Sequence, residues 1–206
     1  MFYLWKLFKQ PHHNSSGIIS IIMTKKTALI LGFLALAIAS RFIILAGPSW
    51  ANFSPIASMA LFAGYYFPKR SQGVLFTTLA IWLSNILLNN LIYSSYYNGF
   101  SWGFDAIHLG LFALVSLLGH QFSTKSINGK TFIGMNLLTV MGFFLLSNLA
   151  VWISSDVTYA KNFQGLMSCY TAGIPFLKNS LIGQFVFSIL FFGGFETVKT
   201  KVLAKI

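Results

Sequence analysis

Six apolar runs, at residues 27–45, 55–67, 72–92, 104–122, 132–153 and 174–197, are separated by short polar connectors. A helix needs about 20 apolar residues to cross a hydrocarbon layer roughly 30 Å thick, and five of the runs have that reach. The second does not: between Pro55 and Phe67, "NFSPIASMALFAGYYFPKR" offers 13 residues, about 20 Å of helix. With 56% hydrophobic and 8% charged residues, the chain has too little polar surface to clothe a globule in water. The expected class is an all-α membrane protein, organised as a cytoplasmic N-terminal segment 1–26, a helical domain 27–197 and a basic cytoplasmic tail 198–206.

Whether the short run crosses is decided by where the basic residues fall. If all six runs cross from a cytoplasmic N-terminus, Lys6, Lys9, Lys25, Lys26, Lys69, Arg70, Lys125, Lys130, Lys199, Lys201 and Lys205 are inside, and Arg41, Lys161 and Lys178 are outside, 11 against 3. If the second run re-enters instead, everything after it inverts and the count becomes 6 against 8. The positive-inside rule therefore predicts six transmembrane helices with both termini cytoplasmic and the second helix short. The same spacing accounts for the net charge of +11 without nucleic acid, because the cations sit in pairs between apolar runs as headgroup anchors do.

The N-terminus carries two further expectations. "MTKK" at Met23 reads as a more ordinary beginning than residues 1–22, and the run that follows resembles a secretion signal with Ala37-Ile38-Ala39 as a cleavage site. Cleavage is disfavoured because the apolar run continues past Arg41 through "FIIL".

The polar residues, placed by depth, converge on the outer half of the six-helix arrangement. Ser54-Pro55 reads as a cap followed by proline at the first helical position, so the short helix should start below the outer surface with its free N–H groups facing a cavity that Arg41 and Asn52 share. Asn85 and Asn89, with Trp82 on the same face, belong to the outer half of the third run, and Asp105 and His108 lie one turn apart at the outer end of the fourth. Asn148 and Trp152 occupy the outer end of the fifth, and the sixth is expected to begin at Pro175 and Asn179, after a 154–173 connector that could hold a short interfacial helix. Lipid cannot satisfy polar groups, so they must face the protein interior or a wet cavity. Interhelical hydrogen bonds and an aromatic belt of Trp50, Trp102 and Trp152 are the plainer alternative. Ala57, Ala60 and Gly64 form a small-residue face suited to close packing within the chain or to docking a partner.

Enzymatic chemistry lacks parts. Asp105 and His108 are too few for a zinc or di-iron site, Cys169 is alone, and neither HExxH, GxSxG nor GxxxxGK[ST] occurs. Neither a metal nor a cofactor is expected, and any pumping must draw on a partner or an ion gradient.

Across residues 27–197 the chain resembles an uncharacterised bacterial family of small multi-pass membrane proteins. The resemblance is carried by "RF" at 41, "NFSPIASMALFAGYYFPKR" at 52, "WLSNILLNN" at 82, "SNLAVW" at 147, "GLMSCYTAGIPFLKNSLIGQ" at 165 and "FGGFE" at 192. Where that family often has an aspartate after the serine of the third run, this chain has Asn85, which weakens a proton-carrier role there. More remotely, the six-span plan is similar to the substrate-binding components of energy-coupling-factor transporters, by analogy of architecture. The expectation is a transport subunit embedded in the lipid bilayer that captures a small-molecule substrate from the extracytoplasmic side, with a membrane coupling subunit as partner. Its site residues would be Arg41, Asn52, Asn85, Asn89, Asp105, His108, Asn148, Trp152 and Asn179. The alternative is a membrane scaffold or assembly factor that transports nothing.

Overall fold

A computed structural model describes residues 52–154 and 158–203, with side chains as far as 198, together with Gly32, Ala35, Leu36, Ile38, Ala39, Arg41 and Phe42. The five of these between 32 and 39 are helical, and the rest of the first apolar run, the connector to Ala51, the proposed start at Met23 and Asp156 lie outside the described residues. Gly32, Ala35 and Leu36 belong to a first unit ending at Leu36; everything below concerns the second, Ala37–Ile206.

Among the described residues from Asn52 onward, six α-helices follow in order: α1 Ile56–Tyr66, α2 Arg70–Leu91, α3 Ala106–Phe122, α4 Gly129–Ser154, α5 Phe163–Ser188 and α6 Gly194–Leu203. Among the described residues there is no strand. The boundaries follow from local chemistry. Pro55 caps α1, and Pro68 ends it by forcing Phe67 out of the helical region to ψ 138°. The Asp105 carboxylate accepts from the His108 amide (3.1 Å) to open α3, and the Asn128 side chain accepts from Thr131 N–H (2.9 Å) at the head of α4. A single π turn, Ile189–Gly193, joins α5 to α6, so that helix runs unbroken from Phe163 through Val198.

Three helical runs, Arg70–Leu91, Gly129–Ser154 and Phe163–Val198, are long and apolar enough to cross a membrane, whereas α1 and α3 are shorter apolar helices. The packing of α2 identifies the solvent it was built for. Leu75, Leu79, Leu83, Leu87 and Leu91 recur every four residues and are 40–68% exposed, while Gly73, Thr77 and Ser84 are buried. A helix that hides its small and polar residues and displays leucine is stable against lipid, not water.

The short helix is the centre of the bundle. Ile56 and every residue from Ser58 to Gly64 are buried, in contact with α2, α3, α4 and α5. Its tightest neighbour is α3, because Gly64 and Gly119 bring two backbones together: a Cβ on Gly64 would overlap the Ser116 carbonyl oxygen, and one on Gly119 the Leu61 carbonyl oxygen. Ala60 has no exposed surface. Of the two uses expected of the Ala57-Ala60-Gly64 face, Ala60 and Gly64 serve close packing within the chain, while Ala57 is half-buried. At the Tyr66 end, Phe62 packs edge-on to Phe192 (centroids 5.4 Å apart), and the Tyr66 hydroxyl donates to Glu196 (2.7 Å).

A correction concerns the last run. Helix α5 does not begin at Pro175 but twelve residues earlier, because the Asn162 side chain accepts from Gly165 N–H (2.9 Å) and caps it there. The 154–173 connector accordingly contributes its second half to the long helix rather than a separate interfacial one. Pro175 sits inside α5, removing one backbone donor, which membrane helices tolerate when neighbours compensate.

Candidate functional site

A cavity of about 450 Å³ begins where α1 begins. Asn52, Phe53, Ser54, Ile56 and Ala57 form one side of it, so the turns that α1 lacks are replaced by open volume. Asn52 holds φ +63°, the left-handed region that asparagine tolerates better than other side-chain-bearing residues. Ser54 Oγ accepts weakly from Ile56 N–H (3.4 Å), and the amides of the first α1 turn have no carbonyl before them.

Two helices supply stripes to the walls. Val140, Phe143, Phe144, Ser147, Asn148 and Val151 of α4 follow helical 3–4 spacing, as do Gly173, Leu177, Ser180 and Gln184 of α5, with Phe176 beside them. Asn148 lies over Gly173, where a Cβ would come within 2.6 Å of its Oδ1, and it donates to the Phe144 carbonyl (2.8 Å). Phe112 and His108 come from α3, and Phe112 stacks on Phe143 with centroids 4.8 Å apart.

Arg41 brings the full positive charge. Its Nη1 donates to Ser84 Oγ (2.6 Å) and Asn85 Oδ1 (2.5 Å), both neutral acceptors. The Asn85 amide in turn donates to the Gly103 carbonyl (3.1 Å), which orients the oxygen toward the guanidinium. His108 Nδ1 and Asp105 Oδ2 are 2.6 Å apart. Among the described residues no three His, Cys, Asp or Glu side chains are grouped to hold a metal ion.

Of the nine residues expected at the site, Arg41, Asn52, His108 and Asn148 line the cavity. Asn85 and Asp105 stand behind Arg41 and His108 as their partners. Asn89 and Trp152 do something else: Asn89 donates to Ser101 Oγ (3.0 Å), and Trp152 Nε1 donates to the Ala160 carbonyl (2.9 Å) with Lys161 Nζ 5.6 Å from the ring centroid. Asn179 is not among the lining residues. The Trp82, Asn85 and Asn89 stripe, joined by Asn90, fastens residues 101–103 onto α2; Trp82 Nε1 donates to the Trp102 carbonyl (2.8 Å). Gly103, at φ +65°, is required there, since a Cβ would lie 2.7 Å from the Ile86 amide nitrogen.

Sequence reasoning missed the phenylalanine walls and Gln184. Gln184 is 1% exposed, lines the cavity, and donates Nε2 to Asn136 Oδ1 (2.8 Å), while its Oε1 has no partner. Its 3–4 spacing with Gly173, Leu177 and Ser180 was the available signal.

No curated protein and no solved structure matches this chain. A protein-family model, that of a family of unknown function (DUF6580), matches residues 22–205. The chain, a helical protein whose long apolar runs suit a membrane, belongs to that family.

Proposed function

We propose that this protein is a substrate-binding membrane subunit, crossing a bacterial inner membrane six times with both termini cytoplasmic, that captures a small molecule from the extracytoplasmic side. The observation that carries the reading is the cavity of about 450 Å³ at the buried start of α1, within the size range of small-molecule sites. Its walls are mostly apolar with a few polar groups converging from different elements, which is how such sites combine affinity with orientation. The analogy with energy-coupling-factor substrate-binding components supports a coupling subunit as partner, on architecture alone. Native mass spectrometry of the full chain purified in detergent tests capture: a retained small molecule is expected. A chain that is empty, and whose thermal stability ignores a metabolite panel, would overturn it.

Orientation has its own test. In a Cys169→Ser background, which removes the buried native thiol, Asn98→Cys should react with a membrane-impermeant maleimide on intact cells. Lys125→Cys should react only after the membrane is opened. The reverse pattern would mean that the basic residues do not set the topology.

A further inference from the structure

We infer that the cavity recognises an organic monoanion with an apolar body and an N–H or O–H donor, its anionic head held by Arg41 and its donor by Gln184 Oε1. The inference rests on the capture reading and names the ligand's chemical class. Arg41 has two neutral acceptors and, among the described residues, no carboxylate. Of the three acids in the chain, Asp105 is bonded to His108 and Glu196 to Tyr66 at the other end of α1, while Asp156 lies outside the described residues. A part-buried guanidinium without a counter-ion is costly, and its Nε and Nη2 donors are geometrically suited to a carboxylate. The open start of α1 adds a partial positive charge on the same cavity. One full charge against phenylalanine walls fits a monoanion better than a polyphosphate.

Gln184 supplies the second, independent observation. A buried carbonyl oxygen without a donor costs about 1–3 kcal/mol, and this one belongs to a residue that lines the cavity. Its amide nitrogen is fixed by Asn136, and Asn136 Oδ1 also accepts from Ser188. Flipping the Gln184 amide would set two oxygens against each other, so the free position stays an acceptor. A ligand N–H or O–H is what it can take.

The test uses matched probes on the full chain in detergent, read by thermal unfolding: hydroxyphenylpropanoate, hydroxyphenylpropanamide and hydroxyphenylpropylamine, then the same three heads on branched aliphatic bodies bearing a hydroxyl. The acids should stabilise the chain at roughly tenfold lower concentration than their amides, the loss expected for one charge-assisted hydrogen bond, and the amines should not stabilise it. Phenylpropanoate, lacking the hydroxyl, should bind several-fold more weakly than its hydroxylated counterpart. Arg41→Gln should abolish the preference for acids and Arg41→Lys should keep it, a contrast that loss of folding would not produce. Equal effects of the three heads, or no effect of any, overturn the inference. The molecule retained in native mass spectrometry separates the layers of the claim. A soluble acid supports both the anion and capture; a neutral or cationic molecule supports capture and overturns the anion. A fatty acid from the bilayer supports the anion and overturns capture of a soluble substrate.

Discussion

Gly64→Ala and Gly119→Ala should each lower the midpoint of thermal unfolding by roughly 10 °C or prevent recovery of folded protein, a loss of about 3–4 kcal/mol. At both positions the added methyl would overlap a backbone carbonyl, of Ser116 and of Leu61 respectively, and the overlap is deeper at Gly64. A flexible side chain could swing aside, but a carbonyl moves only with its helix. Relief therefore requires α1 and α3 to separate along their whole contact, and α1 has no alternative place because it is buried from Ser58 to Gly64. The control lies on α3 itself: a methyl added at Gly110 would meet nothing within 4 Å, so Gly110→Ala should be neutral or slightly stabilising. Comparable losses at Gly64 and Gly110 would show that helix propensity, not interhelical approach, sets the effect. The same contact explains why a helix of 11 residues, about 17 Å, is stable at all. Its backbone is paired within itself and its surface is covered by protein, so it need not match the bilayer thickness.

The helices were legible because apolar length is a strong signal and Pro68 is an unambiguous stop. Pro175 misled because proline starts helices as well as interrupting them, and Asn162 thirteen residues upstream had no marked apolar run directly after it. Depth along a span was readable from hydropathy, but rotation about the helix axis was not. Asn85 and Asn89 were correctly placed on one face of α2, yet that face meets residues 101–103 rather than open volume. In a water-soluble helix the polar face reveals the rotation; in a membrane helix whose outside is also apolar, Phe143 or Phe176 in a cavity wall looks like any lipid-facing phenylalanine. Arg41 stood out because a lone cation beside an apolar run carries a cost that demands a reason.

Asn136→Leu should lower stability by about 2–4 kcal/mol and also weaken ligand capture, although its side chain does not line the cavity. Asn136 is fully buried on α4, with Nδ2 donating to the Phe132 carbonyl (2.8 Å) and Oδ1 accepting from Gln184 Nε2 (2.8 Å) and Ser188 Oγ (2.5 Å). Leucine removes the one acceptor that two buried donors of α5 share. Single interhelical hydrogen bonds in membranes average only about 0.6 kcal/mol, because the separated helices find other partners. The larger figure is expected here because Ser188, with no exposed surface and no place on the cavity wall, has neither lipid headgroups nor water to turn to. Asn136→Leu combined with Gln184→Met should recover part of the stability, since one of the two donors that lose Asn136 Oδ1, Gln184 Nε2, is then removed with it, leaving Ser188 Oγ. Capture should not recover, because the acceptor presented by Gln184 is then gone. Unfolding midpoints and probe binding for the two single variants and the double separate these outcomes. If the double variant binds the hydroxylated acid as the parent does, Gln184 holds the bundle together and reads nothing in the ligand; if stability alone returns, the polar triad fixes Gln184 for the task of recognition.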